Sequence, residues 1–485
     1  MSTNINHASY FKREILVRIA KAFREGHLVA SAHKIPVELR PSSDESLRCC
    51  IHKERAVARL RTIAALGFSA EDDDEYTPLN EYAKRAVERE ELEGKFLSVL
   101  DIACRGCVKS QYVVTELCQG CLARSCSTHC PFGAVSFKSG RAYLEPDKCK
   151  NCGLCHKACP YQAISKLHVP CEEACAVKAI NKNAQGIAEI DFEKCTSCGR
   201  CMTACPFGAV MEQSQIIDVL KLLTQKKKVV ALVAPSIVGQ FPAILGKMIT
   251  AIKKLGFADV FEVAWGADET TKFEALEFEH KMNEGAKFMT SSCCPAYIET
   301  LKRHIPELLP HASTTPTPMH FSAKFIKESS PDAKVVFIGP CVAKRVEGFH
   351  DPLIDNVLTF EELGSLLLAY GIEVVECEET QLTDAASKQG RGFAVAQGVS
   401  QAIASIVPDQ KLQACCINGL SPEGVKQLRS YVLKAPEANL IEVMACSGGC
   451  VGGPGSLAAS KVSTREIQKL QKESPELKDI LEKKS

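Results

Sequence analysis

Two stretches of this 485-residue chain repeat one spacing of cysteines. They are Cys149-x2-Cys152-x2-Cys155-x3-Cys159-Pro160 and Cys195-x2-Cys198-x2-Cys201-x3-Cys205-Pro206. No other feature limits the fold as tightly, because a chain that must bring these thiols to fixed points has few routes between them. The connecting segments are short and carry Gly, Pro and Asn, as expected where metal, not an apolar core, holds the chain. Twenty-six cysteines could instead form a secreted disulfide framework. Three observations oppose that: the chain is too large to need stapling, its start Met1-Ser2-Thr3-Asn4 lacks a signal peptide's charged-then-apolar pattern, and CxxC spacing recurs. The expectation is metal clusters in a reducing cytoplasm.

Both runs copy the bacterial ferredoxin spacing, in which three close thiolates take three corners of a [4Fe-4S] cubane and the fourth faces a neighbouring cluster. That exchange rule predicts one set of Cys149, Cys152, Cys155 and Cys205 and another of Cys195, Cys198, Cys201 and Cys159. Upstream, Cys118-x2-Cys121-x4-Cys126-x3-Cys130-Pro131 varies the theme, and Cys104-x2-Cys107 and Cys171-x3-Cys175 supply two further halves. Applied again, the rule joins Cys175 to Cys118, Cys121 and Cys126, and Cys130 to Cys104, Cys107 and Cys171. Sixteen cysteines then suffice for four accessory [4Fe-4S] clusters. For Cys104, Cys107, Cys171 and Cys175 a zinc site stays open, since CxxC suits tetrahedral Zn²⁺ equally well.

Lys plus Arg (59) balance Asp plus Glu (58), so net charge argues for neither nucleic acid nor an anionic membrane as partner. No apolar run approaches the roughly 20 residues that span a bilayer, and the protein is expected to be soluble. Residues 1–95 read as a helical region of unassigned role, with Ile15, Leu16, Ile19, Ala20 and Phe23 on one helical face. Residues 96–215 read as an α+β ferredoxin-like relay domain. Residues 216–462 read as an α/β domain whose strand-like runs are Val229 to Ala234, Val335 to Ile338, Phe393 to Ala396 and Ile441 to Met444. Residues 463–485 read as a helix and charged tail, with Ser463-Thr464-Arg465-Glu466 as its capping box. Cys49-Cys50 reads as structural or incidental, and Cys415-Cys416 as core packing.

Three dissimilar cysteine motifs fall in the α/β region: Ser291-Ser292-Cys293-Cys294-Pro295, Pro340-Cys341-Val342-Ala343-Lys344 and Met444-Ala445-Cys446-Ser447-Gly448-Gly449-Cys450. Cys341 and Cys446 each follow a strand, where open α/β sheets bind ligands. In order and content the three motifs resemble the active-site signature of iron-only hydrogenases. The resemblance implies an H-cluster: a cubane on Cys294, Cys341, Cys446 and Cys450, with Cys450 bridging to a two-iron subsite that carries carbonyl, cyanide and azadithiolate. It leaves Cys293 as the proton-exchanging thiol, Lys344 as the cyanide partner, and Glu347, Ser313, Glu277 and Glu274 as proton-path stations. It also implies a ferredoxin or similar low-potential electron carrier and hydrogenase maturation proteins as partners.

The chain departs from the family's prototype in ways similar to the B-type monomeric enzymes. Tyr297 stands for Trp, Gly339 for Met, Ser447 for Pro, and Gly452-Gly453-Pro454-Gly455-Ser456 for Gly-Gly-Gly-Gln-Pro. Gly448, Gly449, Gly452 and Gly453 read as positions where a β-carbon would meet the cofactor. The expected reaction is reversible combination of two protons and two electrons to dihydrogen. The alternatives are a dihydrogen or redox sensor, and an Fe-S cluster carrier of the kind found among eukaryotic relatives.

Overall fold

The apolar face of the first segment forms the helix His7–Arg24, in which Ile15, Leu16, Ile19 and Ala20 are fully buried. The helices Ile51–Ala65 and Leu79–Glu88 pack beside it, and Pro36 sits at the start of the short helix Ile35–Leu39 instead of interrupting one. This computed structural model describes residues 7–92, 94–225, 227–380, 386–407 and 412–484. The Met1 to Asn4 start lies outside them.

Eight short strands follow: β1 (Leu97–Val99), β2 (Gln111–Val114), β3 (Val135–Lys138), β4 (Arg141–Leu144), β5 (Ile164–Leu167), β6 (Ile180–Lys182), β7 (Ala188–Ile190) and β8 (Val210–Glu212). They build two ferredoxin-like units, one nested in the other. In the outer unit β2 pairs antiparallel with β5, β3 forms a hairpin with β4, and the helical turns Ser125–Thr128 and Leu154–Ala158 face each other. In the inner unit β1 pairs with β8, β6 forms a hairpin with β7, and the turns Pro170–Ala174 and Arg200–Ala204 face each other. The outer unit is thus an insertion between β1 and β6 of the inner one.

Beyond residue 227 two parallel sheets carry the remaining strands. Four strands, β9 (Val229–Val233), β10 (Asp259–Glu262), β12 (Lys334–Ile338) and β13 (Asn356–Leu358), run in the order β10-β9-β12-β13. The other three, β11 (Met289–Thr290), β14 (Ala414–Asn418) and β15 (Leu440–Met444), run in the order β11-β15-β14. β9 and β15 are buried at every position, as continuous apolar runs in a parallel sheet require. Phe393 to Ala396 is no strand but the turn between Lys388–Gly392 and Gly398–Ala404. Its backbone bonds the Cys446 loop instead of a ladder, Ala396 N–H donating to Gly448 and Ala394 C=O accepting from Val451. The capping box also fails: the last long helix begins four residues early, with Ala459 as its N-cap and Ser460 its first residue, so Ser463 lies inside it and accepts from Gln240 Nε2 at 2.8 Å. Cys415 and Cys416 lie on the edge strand β14, half-buried.

Buried ion pairs tie the regions together. Lys12 Nζ bonds Glu212 Oε1 at 2.6 Å and Glu361 Oε2 at 2.5 Å, linking the first helix to β8 and to the helix Phe360–Tyr370. Arg345, fully buried, bonds the carboxylate of Glu362 and the carbonyl of Gln213.

Candidate active site

Each cysteine loop of the α/β region leaves the carboxyl end of a parallel strand: Cys293 and Cys294 after β11, Cys341 after β12, Cys446 after β15. β11 and β15 belong to one sheet and β12 to the other, so the loops converge between two sheet ends. Cys293, Cys294, Cys341, Cys446 and Cys450 line one cavity with Lys344, walled by Ala234, Met319, Phe337 and Phe393. Burial first, and then the neighbouring thiols, push Cys341 up to about 12 and Cys446 well above the ordinary thiol range. Thiols so placed ionise only against bound metal. A sulfur-ligated, anionic cluster fits this donor set.

Lys344 supplies the cation. Its Nζ is 2.7 Å from Glu347 Oε2 and 6.0 Å from the centre of the Phe337 ring. Glu347 also accepts from the Thr317 hydroxyl. It is therefore a counter-ion of Lys344, with hydrogen bonds to Lys344 and Thr317. The other three polar stations are consecutive. Cys293 is raised by burial and next by the charge of Glu274, which is wholly buried. Glu274 Oε1 accepts from Ser292 N–H at 3.2 Å, Oε2 is buried without a hydrogen-bond partner within 3.5 Å among the described residues, and burial raises the carboxyl to about 8. Ser313 donates to Glu277 Oε2 at 2.7 Å and also faces Glu274. Glu277 overcomes its own desolvation with bonds from Ser313, Thr314, Thr315 and Lys281, which lower it to about 2.

Two polar residues here escaped the sequence reading. Lys281 pairs with Glu277 at 3.0 Å, and its i,i+4 spacing on the helix Val263–Asn283 was a visible signal. Glu442, fully buried on β15, accepts from Gln397 and Ser400 N–H groups and acts on Cys293. A lone acid in an apolar strand gave no such signal.

The departures acquire local reasons. Tyr297 is buried and donates to Thr290 Oγ1 at 2.7 Å. At Gly339 a β-carbon would stand 2.6 Å from the Phe337 ring, so Phe337 occupies the room that a larger residue would need. Backbone alone already crowds three of the loop glycines. A β-carbon on Gly449, at φ +92°, would meet Ala396 N at 2.6 Å, one on Gly452 would meet Ser447 O at 2.2 Å, and one on Gly453 would meet Pro340 O at 2.7 Å.

The sixteen relay cysteines group differently from the expected sets. The thiols acting on Cys126 are Cys121 and Cys159, and those acting on Cys155 are Cys130 and Cys149. Cys171 feels Cys205, Cys104 and Cys107, whereas Cys201 feels Cys198, Cys195 and Cys175 most strongly. Each fourth cysteine thus neighbours the run of its own unit: Cys159 that of Cys121 and Cys126, Cys130 that of Cys149 and Cys155, Cys205 that of Cys104, Cys107 and Cys171, and Cys175 that of Cys195, Cys198 and Cys201. With Cys118 and Cys152 added by their CxxC spacing, the thiols form four quartets whose fourth members are exchanged inside each unit, between motifs that nesting sets apart in sequence. In all four turns that follow a fourth cysteine, an alanine N–H donates to sulfur: Ala134 to Cys130, Ala163 to Cys159, Ala179 to Cys175 and Ala209 to Cys205, at 3.2 to 3.4 Å. Among the described residues no three His, Cys, Asp or Glu side chains converge as tightly as a single ion requires. Cys198 also lines the Cys294 cavity and acts on Cys446, so the last inner quartet adjoins the candidate active site.

Residues 142–165 and 188–211 each match the 4Fe-4S binding domain, which makes this an iron-sulfur protein. Residues 227–454 match the family described as iron only hydrogenase large subunit, C-terminal domain, so this region is a domain of the iron-only hydrogenase family. It is 29% identical over 403 residues to iron hydrogenase 1 of Clostridium pasteurianum, covering 69% of this chain and 68% of that protein. It is 28% identical over 260 residues to the periplasmic [Fe] hydrogenase large subunit of Nitratidesulfovibrio vulgaris, covering 43% and 62%. It is also 24% identical over 310 residues to cytosolic iron-sulfur assembly component 3 of Bos taurus, covering 50% and 65%. No helix among the described residues is long and apolar enough to cross a membrane.

Proposed function

We propose that this chain is an [FeFe]-hydrogenase, an oxidoreductase that interconverts two protons plus two electrons with dihydrogen. Cys293 carries the reading. Four cysteines suffice for a cubane, and the fifth thiol lines the same cavity at the head of a polar series running through Glu274, Ser313 and Glu277. A protein that only carries clusters has no use for that series.

Cys294, Cys341, Cys446 and Cys450 would hold the H-cluster, and the Lys344 ammonium would offset its negative charge. The H-cluster would supply the site at which protons and electrons combine. This chain's residues do the rest. Cys293, kept protonated by burial, passes a proton at Sγ by giving up its own as it accepts another. Glu274 receives it on Oε2, at a pKa of about 8 that lets the carboxyl load and unload near neutrality. Ser313 relays between Glu274 and Glu277, and Glu277 with Lys281 meets solvent. The four cysteine quartets would hold four [4Fe-4S] clusters, with the quartet of Cys198 nearest the catalytic cavity.

A ferredoxin or similar acidic carrier is the proposed electron partner. Between residues 109 and 166 eight Lys and Arg stand against three Asp and Glu, so the outer unit presents positive charge where the whole chain is nearly neutral. Maturation proteins that deliver the two-iron subsite are the second proposed partner.

The test is infrared spectroscopy of protein matured with the two-iron subsite, followed by a dye-linked dihydrogen assay. Carbonyl and cyanide bands with turnover are expected. Cluster-replete protein that lacks those bands after maturation would sink the hydrogenase reading in favour of a cluster-carrier role, a reading closer to the iron-sulfur assembly in the bovine relative's name.

A further inference from the structure

The N-terminal helical region has no part in the reading above, yet it delivers one buried charge to the relay. Arg61, on the helix Ile51–Ala65, is only 5% exposed. Its guanidinium donates to three backbone carbonyls, Ala8 at 3.3 Å, Phe207 at 3.2 Å and Gly208 at 3.3 Å. Among the described residues no carboxylate pairs with it. Its anionic neighbour is the sulfur of Cys205, while Arg48, stacked over Phe207 at 4.9 Å, adds a second positive charge. A buried cation without a carboxylate is costly unless another anion compensates it. Burial, and then Arg48, lower the guanidinium only to about 10, so it keeps its charge at neutral pH.

The four cysteine turns provide an internal comparison. In each, the residue before the sulfur-bonding alanine has positive φ: Gly133 at +57°, Gln162 at +50°, Lys178 at +53° and Gly208 at +55°. The peptide whose N–H meets the sulfur therefore has the same geometry four times. Its carbonyl oxygen differs in what it receives. The Lys178 carbonyl accepts from the neutral amide of Asn181 at 3.2 Å, whereas the Gly208 carbonyl accepts from the Arg61 guanidinium. A cation on the oxygen polarises the peptide and strengthens the Ala209 N–H bond to Cys205 Sγ. Lys182 Nζ, 3.7 Å from Cys104 Sγ, adds positive charge to the same quartet.

We propose that Arg61 raises the reduction potential of the [4Fe-4S] cluster held by Cys104, Cys107, Cys171 and Cys205, acting by its own charge and through the Gly208-Ala209 peptide. A fixed cation stabilises the more negative, reduced cluster over the oxidised one, and low dielectric amplifies the effect. The N-terminal region thereby acts as an electrostatic cover that makes one relay station a better electron acceptor. The inference rests on that quartet holding a cluster, which iron analysis and the number of reducible signals test separately.

The experiment is an electron paramagnetic resonance redox titration of the cluster-replete full chain. Arg61→Gln, which keeps a donor and loses the charge, is expected to move one midpoint to lower potential and leave the others in place. Arg61→Lys, which keeps the charge, is expected to restore most of the shift. Ala8→Asp leaves Arg61 untouched and sets a carboxylate beside it in the first turn of a helix, where acids are favourable. It is expected to lower the same midpoint, and it keeps the test open where Arg61→Gln loses iron. Unmoved midpoints in Arg61→Gln and Ala8→Asp, a shift common to all clusters, or equal shifts in the Gln and Lys variants would each overturn the proposal.

Discussion

Ser313 Oγ stands 2.7 Å from Glu277 Oε2 and donates to it, while facing the buried Glu274 on its other side. One hydroxyl thus links a carboxyl raised to about 8 with a carboxylate lowered to about 2. Burial dominates the first, and a surplus of donors dominates the second. A carboxyl that keeps its proton up to about pH 8 therefore lies next to a carboxylate that stays ionised, the order that the proposed proton route requires.

Removing the inner station should interrupt that route. Glu274→Gln is expected to lower dihydrogen turnover by about 10²- to 10⁴-fold, the usual worth of a positioned acid or base, with cluster content unchanged. Cys293→Ser is expected to behave alike. Dye-linked assays at matched iron content check both, and full activity in either variant would contradict the proton route.

Glu274 should also leave a mark on stability. Its folded pKa exceeds its unfolded value, so the native state binds the proton more tightly and loses stability as pH rises from about 4.5 to about 8. The slope from this group approaches about 1.4 kcal/mol per pH unit. Denaturant titrations across that window should find the difference between Glu274→Gln and the parent growing with pH in favour of the variant.

The Arg345–Glu362 pair is wholly enclosed. Arg345→Met alone is expected to cost about 3 to 5 kcal/mol, because it strands the Glu362 carboxylate. Adding Glu362→Met should recover much of that loss, giving a double-mutant coupling that urea titration would measure.

The regrouped thiols make a stoichiometric prediction. Cys121 and Cys159 now belong to one quartet, so Cys121→Ala combined with Cys159→Ala should cost about four iron atoms, one cubane's worth. Under the sets expected from sequence the same pair would cost two clusters. Iron and sulfide analysis of the double variant distinguishes them.

Gly449→Ala should damage the candidate active site selectively. Its β-carbon would press on Ala396 N and Ala394 O, at a φ that L residues rarely adopt. The Cys446 to Cys450 loop would shift. Loss of infrared carbonyl bands is expected while the relay signals persist.

Sequence alone marked which residues are able to carry the proposed chemistry. Cysteine spacing is local, and a CxxCxxC run must curl around a cluster wherever it lies, so the relay cysteines and the three catalytic loops were legible without coordinates. Apolar runs likewise marked β9, β12 and β15. Tertiary structure decided partnership. Which fourth cysteine joins which three depended on one ferredoxin unit being inserted into another, a long-range fact that spacing does not encode. The same holds for Glu347, whose ion pair with Lys344 only the fold of its helix reveals. It holds also for Arg61, an unremarkable helical arginine until the fold buries it against the Cys205 turn. Phe393 to Ala396 illustrates the limit from the other side: four apolar residues suit a strand or a buried turn equally, and the Cys446 loop, arriving from 50 residues away, claims their hydrogen bonds. Local spacing fixes what a residue is able to bind, whereas the charges and donors that surround it are set by chain segments distant in sequence.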